Sequence, residues 1–167
     1  MATGVLLPLS EYLAQTYHPD CDYLDGVIEE RNVGEISHSD AQGRAYLFVL
    51  TQTQGFWADV EVRVQVSPTR FRIPDVTIVR SGKPTGRVIT VPPEVAIEVL
   101  SPEDRVAGIQ DRIDDYLAFG IPCVWVINPE NQRAWIHTAD GSHEAKDRVL
   151  RNPTGDLAVP LSAIFPN

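Results

Sequence analysis

Val95-Ala96-Ile97-Glu98-Val99-Leu100 is apolar at every position but one. Alternation along an extended chain puts Ala96, Glu98 and Leu100 on one face and Val95, Ile97 and Val99 on the other. Apolar side chains on both faces mark a central strand, so the stretch predicts a sheet covered on both sides. Glu98 breaks the pattern. An ionised carboxylate in such a strand is costly unless a positive group compensates it. Ile73-Pro74-Asp75-Val76-Thr77-Ile78-Val79, with its acid 23 residues upstream of Glu98, poses the same problem just after a proline. The compensating group is either an arginine or a divalent cation, and the function turns on which.

Working outward, Ser10 caps a short predicted helix reaching about His18, with Leu9, Tyr12, Leu13 and Tyr17 as its apolar face. Asp22 to Arg31 reads as a strand or hairpin around Asp25-Gly26. Ser37 or Asp40 opens a longer helix with Ala41, Ala45, Phe48 and Val49 at helical spacing, ending near Gly55. From Trp57 to Val66 the valines 60, 62, 64 and 66 alternate with Glu61, Arg63 and Gln65, predicting one strand. Ser67-Pro68-Thr69 turns the chain into the Asp75 strand, and a loop over 81–93 leads to the Glu98 strand. Asp104 then starts a helix with the stripe Ile109, Ile113, Tyr116 and Leu117, stopped by Gly120 and Pro122. Cys123 to Ile127 is a buried strand, and Asn128-Pro129 turns into Arg133 to Thr138. Asp140-Gly141 forms one more hairpin before a polar C-terminal tail. This order predicts an α/β (α+β) fold, a central mixed sheet flanked by helices with an additional C-terminal hairpin, in one domain over residues 1–167.

A chain of 167 residues with 43% hydrophobic and 22% charged side chains can bury a core without staples and is not expected to be disordered. Met1 to Leu9 lacks the charged and apolar regions of a signal peptide, and no apolar run reaches the length of a membrane span. Cys21 and Cys123 match no metal or redox spacing, so a cytoplasmic protein with no membrane contact is expected. The net charge of −9 opposes tight duplex binding through charge alone. Residues 61–90 are the exception, with six basic side chains against Glu61 and Asp75. That strip either contacts phosphates or lies as solvated strand edges.

Two carboxylates on neighbouring strands suit a hard cation such as Mg²⁺, which takes one or two carboxylates, keeps waters and accepts phosphate oxygens. Pro74-Asp75 followed by Glu98 resembles the metal-binding half of the PD-(D/E)XK nuclease signature. The surroundings resemble the Uma-type family of restriction-endonuclease-like domains. The likeness rests on Tyr23-Leu24-Asp25-Gly26-Val27-Ile28-Glu29-Glu30, on His38 opening a helix, and on Gln65 ahead of Pro74-Asp75. It continues through Pro92-Pro93-Glu94 to Ser101-Pro102, then Arg112, Tyr116, Gly120-Ile121-Pro122 and Val124-Trp125-Val126-Ile127-Asn128-Pro129.

The resemblance implies a restriction-endonuclease-like core and a metal-dependent endonuclease that hydrolyses phosphodiester bonds of DNA. Asp75 and Glu98 would ligate Mg²⁺ or Mn²⁺. Glu30 and His38 would stand at the mouth of the cleft, and Gln65 would orient water or phosphate. A homodimer is expected by analogy with related nucleases. Each residue also has a plainer reading: Asp75 pairing with Arg70 or Arg72, Glu30 and Gln65 solvated on strands, His38 a helix-start residue. The signature's lysine two residues after the glutamate is Leu100 here, and the family's alternative lysine on the next helix is Arg112. Arginine stays protonated and cannot act as a base, but it can hold phosphate or stabilise developing charge. It can equally be a buried partner of Glu98, with Asp111, Asp114 and Asp115 on an exposed helix face. A weak or inactive nuclease-fold binding or regulatory module is therefore the alternative expectation.

Overall fold

The computed structural model describes residues 6–32 and 34–166. In chain order these form α1 (Leu9–Ala14), β1 (Cys21–Leu24), β2 (Val27–Glu30), α2 (Ile36–Gln52), β3 (Phe56–Val60) and β4 (Val64–Ser67). There follow β5 (Arg70–Arg72), β6 (Val76–Arg80), β7 (Val95–Val99), α3 (Val106–Phe119), β8 (Cys123–Asn128) and β9 (Arg133–Thr138). The chain closes with β10 (Gly141–Glu144), β11 (Val149–Arg151), β12 (Ala158–Pro160) and α4 (Leu161–Ile164). No helix among the described residues is long and apolar enough to cross a membrane.

The central sheet has six strands in the order β10-β9-β8-β7-β6-β3. It is mixed: β7 and β8 run parallel, joined by the crossover helix α3, and the other pairs are antiparallel. All five residues of β7 are buried, as apolar side chains on both faces require. Val95, Ile97 and Val99 face a core completed by Ala41, Ala45 and Val49 of α2 and by Trp125. On the other face Ala96, Val124 and Val126 pack under Ile113 and Tyr116 of α3 and under Val64 and Val66 of β4. A second sheet, in the order β2-β1-β5-β4, carries Tyr23 and Phe71 against Tyr12 of α1.

Three expectations are corrected. The alternating stretch from Trp57 to Val66 is two strands in two sheets, not one. Glu61 adopts a left-handed backbone (φ 52°) that swings the chain out of the central sheet, leaving Val60 exposed and Val64 buried in the next layer. The helix expected from Asp104 begins at Val106, because the Asp104 carboxylate instead accepts the Ser101 backbone N–H at 2.7 Å. The C-terminal tail is not a polar appendage. Leu150, Leu157, Val159, Leu161 and Ile164 are buried in the α2-side core, although Asn152, Pro153, Thr154, Gly155 and Asp156 between them give the segment a polar composition. Leu161→Ala is expected to cost about 2–5 kcal/mol in urea unfolding, as for other buried leucines. A loss below about 1 kcal/mol would show that the tail is not part of the core.

Candidate functional site

Pro74 ends the approach to β6 and leaves Asp75 one residue before the strand. Val76 pairs with Ile97, so one further step of the same antiparallel register brings Asp75 beside Glu98. Both carboxylates are buried, at 2% and 1% exposure, and burial to that degree demands that every oxygen be satisfied. Asp75 Oδ1 accepts from Arg31 Nη2 at 2.5 Å, Oδ2 accepts the Val99 backbone N–H at 2.7 Å, and His38 Nε2 lies 3.3 Å from Oδ2. The Asp75 backbone carbonyl accepts from Gln42 Nε2 of α2 at 3.0 Å. Glu98 Oε1 accepts the Tyr116 hydroxyl at 2.6 Å, and Oε2 accepts Arg112 Nη1 at 3.3 Å. Arg112 and Tyr116 are one helical turn apart, so α3 presents both to the same carboxylate.

A third buried acid joins them. Asp22 of β1 takes Arg72 Nη1 at 2.9 Å and the Ile73 backbone N–H at 3.0 Å, and Arg112 Nε lies 3.7 Å away. Arg72 also donates through Nε to Asp115 (2.7 Å) and through Nη1 to Glu29 (3.0 Å). Asp115 is therefore not on an exposed helix face, since it bonds both Arg72 and Arg70. The cluster opens through a cleft of about 20 Å³, room for one water or ion. Asn32, Ser101 and Asp104 line it together with Arg31, His38, Asp75, Val99 and Arg112.

The two central carboxyls have opposite electrostatics. Burial pushes Glu98 up to about 7, reinforced by the negative Asp75 and opposed by Arg112, Arg31 and the Tyr116 hydroxyl. Burial also works against ionised Asp75, but His38, Arg31 and the Val99 N–H together hold its carboxyl below the usual range. Burial disfavours the charged His38 ring as well, yet its bond to Asp75 outweighs that and raises its pKa. His38 Nδ1 is buried without a partner, and Gly34 lies over the ring where a Cβ would stand 2.8 Å from that nitrogen.

Of the six residues singled out in the sequence, Asp75, Glu98, Arg112 and His38 come together. Glu30 is exposed at the end of β2 opposite Cys21, and Gln65 lies on β4 with Nε2 3.4 Å from the Pro68 carbonyl. Asp75 pairs with Arg31 rather than with Arg70 or Arg72. In the basic stretch 61–90, four of the six basic side chains are paired with carboxylates, while Lys83 and Arg87 are exposed. Arg63 bridges to Asp20 with its guanidinium 4.4 Å from the Tyr12 ring centre, Arg70 meets Asp25 and Asp115, and Arg80 meets Glu94 and Asp156. Sequence reading missed Asp22, Arg31, Gln42 and the role of Tyr116. Asp22 carries the same signal as Glu98, an acid between the apolar Cys21 and Tyr23, whereas Arg31 carries none.

Among the described residues no group of three or more His, Cys, Asp or Glu side chains is arranged to hold a metal ion. The hard oxygens of Asp75 and Glu98 nevertheless fit Mg²⁺ or Mn²⁺, which need only one or two carboxylates when water and phosphate complete the shell. Guanidinium groups stand on those oxygens here, so charge compensation by arginine is the arrangement observed.

The chain matches the family Uma2, described as "Putative restriction endonuclease", over residues 9–165. Among solved structures it is similar to one described as a putative nuclease belonging to DUF820 from Anabaena variabilis ATCC 29413. That match has 19% sequence identity and a TM-score of 0.79, covering 97% of this chain and 98% of the other. At this identity the likeness speaks for the fold. No functionally curated protein matches the chain. With nearly its whole length matched, the chain belongs to the Uma2 family of putative restriction endonucleases.

Proposed function

We propose that the protein is an endonuclease that hydrolyses phosphodiester bonds of DNA, with Asp75 and Glu98 holding Mg²⁺ or Mn²⁺. The observation that carries this reading is a pair of buried carboxylates on adjoining strand positions, of which Asp75 lines a small polar cleft and Glu98 lies behind it. A bound divalent ion polarises a phosphodiester and lowers the pKa of its water. The chain's own residues do the positioning. Tyr116 holds Glu98 through its hydroxyl, while the Val99 N–H and His38 hold Asp75. Arg112, permanently protonated, takes a phosphate oxygen or the charge that builds on it, and as an arginine it cannot act as base. Glu30 and Gln65, which the resemblance assigned supporting roles, are not among the residues lining the cleft and receive no step.

A second reading, a nuclease-fold module that binds without cleaving, is favoured by Arg31 and Arg112 already compensating both carboxylates. Cleavage of plasmid and single-stranded DNA with Mg²⁺ or Mn²⁺ separates the two. We expect Asp75→Asn and Glu98→Gln each to lower cleavage by about 100-fold or more. Activity surviving either change would remove the assigned centre, and metal binding with no cleavage of any substrate would favour the binding module. Arg112→Lys, which restores a titratable amine, is expected to raise cleavage by up to about 100-fold. A homodimer is expected in solution, checked by size-exclusion chromatography with light scattering.

The Glu98 carboxyl sets the pH dependence. It must lose its proton to ligate a cation, so metal affinity should rise as the pH passes about 7. Stability should run the other way. Because the folded pKa lies above that of the unfolded chain, the favourable neutral form is fully present below the unfolded value and lost as the pH rises through about 7. The melting temperature of the metal-free wild type should therefore fall relative to Glu98→Gln over that window. A constant difference between the two proteins would contradict the assigned shift.

A further inference from the structure

Arg31 is unlike the other two arginines of the cluster. Arg72 bonds Asp22, Glu29 and Asp115, and Arg112 reaches both Glu98 and Asp22 from the body of α3. Arg31 lies just beyond β2, outside any helix or strand, and its guanidinium bonds only Asp75 among the described residues. Its side chain is 12% exposed. A guanidinium has five N–H donors, and with a single bonded partner this one is held by fewer bonds than Arg72 or Arg112. What keeps it there is charge: without Arg31 the Asp75 carboxylate faces only His38 as a cationic neighbour in direct contact. The same guanidinium lines the small cleft beside Arg112, Ser101 and Asp104.

We propose that Arg31 is a displaceable internal counter-cation. It occupies Asp75 Oδ1 while no divalent ion is bound, and it must leave that oxygen before Mg²⁺ or Mn²⁺ can bind. Two cations on one carboxylate oxygen, in a cleft with room for a single small ion, repel each other strongly. Once displaced, the guanidinium remains at the cleft, where a phosphate oxygen satisfies more of its donors than Asp75 does. The exchange couples metal entry to substrate: a phosphodiester that takes Arg31 frees Asp75, and a metal that takes Asp75 frees Arg31. This inference rests on the assignment of Asp75 as a metal ligand and goes beyond it by giving Arg31 a role that competes with the metal.

The test is calorimetric titration with Mn²⁺ alone on the wild type, Arg31→Gln and Arg87→Gln, the last a control at an exposed arginine outside the cluster. Arg31→Gln is expected to bind Mn²⁺ about tenfold more tightly or better, the gain when a bond worth about 1.4 kcal/mol need not be broken. Its metal-free form should melt below the wild type, and Mn²⁺ should restore most of the loss. Arg87→Gln should match the wild type. Affinity unchanged or weaker in folded Arg31→Gln would overturn the proposal, as would no Mn²⁺ binding to either protein. Should Arg31→Gln not fold, NMR of the wild type decides. The Arg31 Nε–Hε signal should shift and exchange faster with water as Mg²⁺ is added, and a fixed signal at saturating Mg²⁺ would overturn it. Tighter metal binding without cleavage would keep this inference and defeat the nuclease reading; cleavage with unmoved affinity would do the reverse.

Discussion

The structure depends on burying three carboxylates, Asp22, Asp75 and Glu98, against three guanidinium groups, Arg31, Arg72 and Arg112. Isolated, any of these charges would be prohibitive in the interior. Together they form a nearly neutral unit in which most lone pairs have donors. Such a unit adds little net stability compared with an apolar core, but it punishes any arrangement that leaves a member unpaired. It therefore acts as a registration device between the two sheets and α3.

The path of the chain shows this. Asp22 and Arg72 come from the four-stranded sheet, Asp75 and Glu98 from the edge of β6 and the middle of β7, and Arg112 from the helix between parallel strands. Ile73-Pro74 carries the chain from one sheet to the other, and the Ile73 N–H is held by Asp22 while Asp75 receives the Val99 N–H. The crossing point is thus pinned on both sides by carboxylates bonding backbone. Glu61, whose left-handed backbone makes the reverse crossing, donates its N–H to the Asp75 carbonyl at 3.3 Å and accepts Gln42 through its side chain at 3.2 Å. These two direct crossings converge on Asp75, and the third, from β2 to β3, runs through α2, whose Gln42 donates to the Asp75 carbonyl. The position of Asp75 is thus fixed by the crossings between the sheets.

This explains what the sequence discloses. Glu98 is legible because alternation defines two apolar faces and the acid violates one of them. Asp75 follows from the same violation next to a proline. The order of strands and helices is legible from turn residues, with Gly120 closing α3 in a left-handed conformation (φ 103°) as its position suggests. Partners are another matter. Arg31 lies 44 residues from Asp75 and Arg72 lies 50 from Asp22, distances at which no local period carries information. The break at Glu61 is hidden because valines 60 to 66 keep a period of two while the backbone changes layer. The C-terminal apolar residues are hidden for a related reason, since short strands separated by polar turns show no amphipathic period.

Arg112 then becomes intelligible as more than a missing lysine. A lysine ammonium is a compact point charge, whereas guanidinium is a planar fork that can address two acceptors in different directions. Here Nη1 bonds Glu98 and Nε faces Asp22, so one side chain neutralises acids from two sheets. The buried Asp22 is what makes the fork useful: its carboxyl is pushed up by burial and held in check by Arg72 first and Arg112 second. A lysine at this position would keep the charge near Glu98 but could not reach both acids at once in the same way. In this chain the arginine at position 112 and the third buried acid therefore belong together. Any change at position 112 acts on the join between the sheets as well as on the chemistry of the cleft.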